Sequence, residues 1–538
     1  MTKRRFWLLA AAAPIALLAH CGGDDSTGAT PTDDGGGADG TTVGDGQSPS
    51  DGSRLLPDGG IASAKTVGSY VGVNGFIDDP IADLAPIGIV REYHNWGWIA
   101  DNFAASPAYP DLRYTFMNFN GWDWDVYFAA LVDAGVSGFP AVQGSVPWLA
   151  ASAVPPVAAG ADAGASVSYV AHADAMFQIA ARYGSTKVDD SKLRLSTSPA
   201  QTHVSGLGTV QYFEDFNEED NAAAFTPAAM AAMASADEDG DQGRMGASFG
   251  VKQADPNAKL VMGGLSGKYP PGNVWLTSIT DYLDGMQAWA NTHRGGDFPA
   301  DVINVHYYSF PIAGPGTTGP ALSPEADHVK DKLADVIAYR DAHLPGKPVW
   351  WTEFGYDSDK DSSLGAPQLK GNSPMIVQAQ WLVRDLLAGL AAGIDRATLF
   401  ELDDTGPVAA GTFVTCGLKT APKPGTRKPS WYFVATFRAR LATMTYVGEQ
   451  TSGDPNVMIY EFRDTISGGG ALVIWAPTSD ATVVAGYTLS LPNGAKTAKS
   501  VTLADQQQNG VEAPLTVAAG KVTLDVSETP TIVLVDAM

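Results

Sequence analysis

Two short apolar or aromatic runs each stop at a carboxylate. The first is Val210-Gln211-Tyr212-Phe213-Glu214-Asp215-Phe216-Asn217-Glu218, and the second is Pro348-Val349-Trp350-Trp351-Thr352-Glu353-Phe354-Gly355. Both runs are β-prone. In a (β/α)8 barrel the C-terminal ends of the strands converge on one mouth. Two carboxylates presented there, Glu218 and Glu353, are the machinery of glycoside hydrolysis.

The elements that must position them are legible as alternation. Strand-like runs fall at 69–75, 88–94, 139–143, 210–216, 259–264, 302–308, 349–352 and 397–401. Helix-like stretches lie between them, at 124–134, 169–183, 228–255, 279–292, 324–343 and 373–392, with Gly240, Gly243 and Gly246 interrupting the third, and a last one at 431–443 follows the eighth run. Strands alternating with helical patterns mean βαβ units and a parallel sheet. Eight of them predict an α/β chain with a closed (β/α)8 TIM barrel. No Gly-x-Gly-x-x-Gly follows the first strand, so a dinucleotide site has no support. After about Tyr446 the pattern changes to short β-rich runs separated by Gly, Pro, Asn and Asp, which predicts a small antiparallel β-sandwich.

Composition narrows the function classes. Asp and Glu number 59 against 34 Lys and Arg, for a net charge of −25. No basic field exists to release phosphate counterions, which argues against nucleic acid as a partner. There are two cysteines, Cys21 and Cys416, so a zinc site built on cysteine pairs is excluded. The N-terminus reads as a targeting segment: Lys3, Arg4 and Arg5 precede an apolar stretch that ends in Leu18-Ala19-His20-Cys21. That string resembles a bacterial lipobox, with His20 where the pattern has a small residue, and implies lipidation of Cys21 and a membrane partner through the lipid anchor. Residues 22–64 are mostly Gly, Asp, Ser, Thr and Pro. They cannot bury enough apolar surface to offset their ordering entropy and are expected to be a disordered tether. The expected organisation is therefore 1–21 signal peptide, 22–64 linker, 65–444 barrel and 445–538 sandwich.

On these residues the barrel resembles clan A of the glycoside hydrolases. Phe216-Asn217-Glu218 is similar to the strand-four asparagine–glutamate pair, and Thr352-Glu353-Phe354-Gly355 to the strand-seven nucleophile segment. His306-Tyr307-Tyr308 is similar to the His-x-Tyr of strand six in cellulase-type members, and Arg91 to the strand-two arginine. Phe400-Glu401 stands where many members end strand eight in tryptophan, and the appended sandwich is similar to the xylosidase and glucosylceramidase branches. The resemblance implies a retaining mechanism on a carbohydrate substrate, with Glu218 as general acid and base and Glu353 as nucleophile. Asn217 would bond the sugar 2-hydroxyl, Tyr308 would hold Glu353, Arg91 would keep Glu353 ionised, and His306 would contact substrate or orient the acid. Glu401 joins the substrate-binding set. No metal or cofactor is implied.

Each assignment has a plainer counterpart. Arg91 could be a structural ion pair, and His306 a satisfied interior histidine. Glu219 and Asp220 read as loop or helix-start charges. Tyr93, Trp96, Trp98, Trp122, Trp124 and Trp148 are candidates to stack on sugar faces, about half of them being expected in the core. Trp148 is the preferred platform. Rival functions are a non-catalytic carbohydrate-binding lipoprotein, a transglycosylase using the same residues, and a metal-dependent barrel hydrolase. No His-x-His follows the first strand to favour the last.

Overall fold

Eight parallel strands form one sheet: β1 (Val71–Gly75), β2 (Ile89–Asn95), β3 (Ser137–Gln143), β4 (Tyr212–Glu214), β5 (Lys259–Val261), β6 (Ile303–His306), β7 (Val349–Glu353) and β8 (Arg396–Leu399). The order is β5-β4-β3-β2-β1-β8-β7-β6, and bridges from Val261 to Val302 and from Leu265 to Val305 join the two ends. The result is the expected (β/α)8 barrel. This computed structural model describes residues 65–538 except 101–107, 118–120, 150–153, 198–199, 270–273, 312–313, 316–319 and 409–410. The signal peptide, Cys21 and the tether lie outside the described residues.

Strand period 2 sorts the side chains into layers. Ile89, Phe139, Val261 and Trp350, on β2, β3, β5 and β7, share one buried cluster with Val302 just before β6, and Tyr212 of β4 packs on it. Residues of five strands meet this way only inside the barrel, where they form its apolar floor. Two residues on from Ile89, Tyr212, Val302 and Trp350 come Arg91, Glu214, Asn304 and Thr352, all fully buried. Two residues beyond the first and third of these stand Tyr93 and His306. The chemistry therefore rests on a polar layer, which rests on an apolar one.

The strand-four run is shorter than its β-prone sequence: three residues pair, not seven. The third predicted helix is also divided. It runs Pro227–Asp239 and then stops, with Thr226 capping its start and Gly240 ending it in the left-handed region at φ 68°. Only Val251–Ala254 is helical within the rest of that stretch. The glycines decide this, because they adopt the left-handed conformation at no steric cost.

From Met444 the chain is all β. Strands β9 (Met444–Glu449), β10 (Met458–Asp464), β11 (Gly470–Trp475), β13 (Ala498–Ala504), β14 (Gln507–Leu515) and β16 (Thr531–Val535) form a six-stranded antiparallel sheet, and β12 (Val483–Ser490) pairs with β15 (Lys521–Ser527). Leu472 and Ile474 point into the core between these two sheets. Ala471, Val473 and Trp475, on the opposite face of β11, join the barrel's own core. β11 is thus covered on both faces, which is why all of it is buried.

Candidate active site

Glu353 ends β7 and is held by donors on both oxygens. Oε1 accepts from Arg91 Nη1 at 2.9 Å and from the Tyr93 hydroxyl at 2.5 Å. Oε2 accepts from the Tyr308 hydroxyl at 2.9 Å and lies 3.5 Å from His306 Nδ1. Burial acts to raise the pKa of Glu353, but the charges of His306 and Arg91 and the two tyrosine bonds outweigh it, and the net direction is down. Burial, followed by the charge of Glu353, pushes both tyrosines well above their ordinary value, so the phenols stay protonated and donate.

Glu218 follows β4 in an unusual backbone state. Its φ of 50° is left-handed, a conformation uncommon for a side chain of this size. Its amide donates to Gly264 O at 3.1 Å, and it opens the short 3-10 turn Glu219–Asn221. The carboxylate meets His306 Nδ1 at 3.0 Å through Oε1 and Asn221 Nδ2 at 3.0 Å through Oε2. Desolvation pushes its pKa up, a hydrogen on His306 Nδ1 opposes this whenever it is there, and the charge of Glu353 adds to the rise. The Glu218 side chain is 21% exposed against 7% for Glu353, so Glu218 stands nearer solvent. Single side-chain atoms of Glu218, His306 and Glu353 all lie within 4.8 Å of one another. Both ring nitrogens of His306 are already engaged, Nδ1 by Glu218 and Nε2 by Thr352 Oγ1 at 3.0 Å. The trio is therefore an acid–base cluster. A second carboxylate group, Glu238, Asp239 and Asp297, is bridged by the Arg294 guanidinium and holds a cation of the protein's own.

Arg91 combines the two roles that the sequence leaves open. It forms a bidentate pair with Glu214, at 2.6 and 2.7 Å, while reaching Glu353, Asn74 Oδ1 and Asn217 Oδ1. Asn217, His306, Tyr308, Arg91 and the two glutamates are thus brought together. Glu401, past the end of β8, is buried with Oε1 unpartnered, and burial plus the charges of Asp79 and Glu353 pushes its pKa well up. Phe400 stands edge-on to both Tyr93 and Tyr308. Trp148 is half-buried and packs edge-on against Trp96. Trp96 and Trp124 are fully buried core residues, and Trp98 packs against Trp122. Glu219 is fully buried, whereas Asp220 caps the backbone of Ser266 and Gly267.

Four residues of this web carry no signal strong enough to single them out in sequence: Asn74, Glu214, Asn304 and Thr352. Strand period was the available clue for two of them. Asn304 lies two before His306, and Glu214 two after the floor residue Tyr212.

No family model and no curated protein sequence matches the chain. Solved structures do match. A family 39 glycoside hydrolase from the gut symbiont Bacteroides cellulosilyticus WH2 aligns with a TM-score of 0.56 at 17% identity, over 87% of this chain and 82% of that one. A glucosidase from Croceicoccus marinus gives 0.55 at 13% over 88% and 97%. A GH30 endoxylanase from Clostridium papyrosolvens C71 gives 0.51 at 13% over 88% and 98%. The chain thus shares its fold with these glycoside hydrolases over most of its length.

Proposed function

We propose that the chain is a retaining glycoside hydrolase that cleaves O-glycosidic bonds of a polysaccharide or oligosaccharide by double displacement. The observation that carries this reading is the pair Glu218 and Glu353. One carboxylate oxygen of each lies within 4.8 Å of the other, so the two carboxyl groups face each other at close range, as the pair in a retaining enzyme must. Their environments push them in opposite directions, Glu218 up and Glu353 down, which supports Glu218 as acid and Glu353 as nucleophile. The fold shared with a family 39 hydrolase, a glucosidase and an endoxylanase supports the same reading by analogy.

Glu353 attacks the anomeric carbon while Glu218 protonates the leaving oxygen; Glu218 then deprotonates the water that releases the sugar. A panel of defined polysaccharides with chromatographic product identification finds the substrate. Glu353→Ala should abolish hydrolysis of every substrate. Glu218→Ala should keep a slow first step on activated aryl glycosides, and azide should rescue it to a product of retained configuration. Azide rescue of Glu353→Ala should give the inverted product. Full activity of either variant on a natural substrate removes the mechanism.

We also propose export and lipid anchoring through Cys21, supported by the basic start, the apolar run and the polar tether. Stable attachment takes more than one acyl chain. A clickable fatty acid should label the wild type and not Cys21→Ala; equal labelling of both rejects the anchor.

A further inference from the structure

The hydrogen-bond chain beneath His306 has a fixed direction. Glu214 accepts from Arg91 on both oxygens. Asn304 Nδ2 lies 3.2 Å from Glu214 Oε1, and a carboxylate in that state takes only the amide N–H. Asn304 Oδ1 is therefore turned toward Thr352, whose hydroxyl donates to it at 2.7 Å. With its hydrogen spent, Thr352 Oγ1 offers His306 Nε2 only a lone pair, at 3.0 Å. Nε2 must carry the hydrogen. A neutral His306 then presents a bare Nδ1 lone pair to Glu218 Oε1.

We propose that Thr352 and Asn304 are positioning residues that lock His306 in its Nε2–H tautomer, so that Glu218 and His306 Nδ1 share one proton, the proton delivered to the leaving oxygen. The proposal rests on the glycosidase reading of Glu218. In the first step the shared proton leaves the pair through Glu218 and forms the new O–H bond on the departing oxygen. Glu218 is left as a carboxylate beside a neutral ring. That carboxylate faces a lone pair in place of a donor, which strengthens it as a base. It takes a proton from the attacking water, and the pair regains its single proton. The opposite tautomer would donate Nδ1–H to the Glu218 carboxylate and hold it ionised, unfit to act as an acid. The other groups facing the pair are Glu353, Asp220, the buried Glu219 and the phenols of Tyr269 and Tyr308. Asn221 donates to the outer oxygen of Glu218. The charges of Glu353 and Asp220 favour keeping the proton on the pair.

The test uses the full chain and two probes, the phenyl and 2,4-dinitrophenyl glycosides of the sugar that the wild type cleaves. Thr352→Val keeps the shape and removes the acceptor. It should move the descending pH limb on the phenyl glycoside down by about one unit, the size of one added bond to the charged form. The dinitrophenyl glycoside, which needs no proton, should change far less. Thr352→Ser should restore the limb. In protein labelled with 15N-histidine, the His306 signal is assigned by its loss in His306→Gln. Above the descending limb it should show the Nε2–H tautomer in the wild type and the Nδ1–H tautomer in Thr352→Val. An unmoved limb in Thr352→Val overturns the proposal, and so does a wild-type Nδ1–H tautomer, which is decisive even if Thr352→Val does not fold. The spectrum needs no turnover, so absence of hydrolysis on every sugar tested rejects the glycosidase reading separately from the lock.

Discussion

At the scale of residues, the site sorts two glutamates by what donates to them. Glu353 receives from a guanidinium and two phenols, while Glu218 receives from one amide and shares a proton with one imidazole. The rate should rise as Glu353 ionises and fall as Glu218 loses its proton, giving a bell-shaped kcat/KM profile. The ascending limb belongs below the ordinary glutamate value of about 4.3 and the descending limb above it. Tyr93→Phe removes one donor from the charged form of Glu353, so its pKa must rise and the ascending limb must move to higher pH. A hydrogen bond to a charged group contributes roughly 1.5–3 kcal/mol, so kcat/KM should fall about tenfold or more. A pH titration of kcat/KM on wild type and variant checks both, and an unshifted ascending limb rejects the clamp. Tyr93 was partly legible: it is two residues from Arg91 and so on the same strand face. Its type suggested a sugar platform, whereas the fold uses its hydroxyl.

At the scale of elements, an irregularity in strand pairing assembles the cluster. Along β6 and β7, Val305 pairs with Trp351 but His306 pairs with Glu353, leaving Thr352 as the extra residue. A bulge of this kind re-aims side chains. Here it lets Thr352 and Glu353, neighbours in sequence, both reach His306 within the barrel. On the other side, Gly264 packs its Cα against the His306 ring, and an added Cβ would collide with that imidazole. Gly264→Ala should therefore displace His306 from Glu218. Overpacking of this kind costs about 1–3 kcal/mol, readable as a lower urea midpoint. We expect hydrolysis of poor leaving groups to fall by at least about tenfold, as for loss of one charge-assisted bond. Wild-type kinetics on a phenyl glycoside would show that the ring does not need this place.

At the scale of the whole molecule, the sandwich is an extension of the barrel's core. Trp475 on β11 is buried, and its Nε1 donates to Glu325 Oε1 at 2.7 Å. Glu325 also pairs with Arg384, which in turn donates to Thr478 O at 3.0 Å. Helix Pro374–Ala392, which carries Arg384, is thus tied to the sandwich through a buried tryptophan and an ion pair. Trp475→Ala removes the largest side chain at this junction and leaves Glu325 without one of its donors. It should cost about 3–5 kcal/mol in urea unfolding. Because β11 sends side chains into both cores, barrel and sandwich should unfold in one transition, by tryptophan fluorescence and far-ultraviolet dichroism alike. Two separated transitions in the wild type would mean that the shared core does not couple them.

The alternation of strand and helix patterns determined the barrel, because period and turn residues are local properties that survive without tertiary context. The same local pattern placed Glu218 and Glu353 past β4 and on β7, and put Arg91, His306 and Tyr308 where one mouth would gather them. What tertiary structure alone decided is direction and partnership. Glu214, Asn304 and Thr352 are unremarkable in sequence, and their meaning comes from strands that lie tens to hundreds of residues apart. Thr352 in particular reads as facing away from Glu353 by period 2, and only the extra residue in the pairing of β6 with β7 reverses that. Trp96 and Trp124 likewise became core, because aromatic residues look alike in sequence whether they stack on a ligand or on each other. A hydrogen-bond network is a property of three-dimensional neighbours, and neither residue type nor spacing encodes which lone pair is left for which hydrogen.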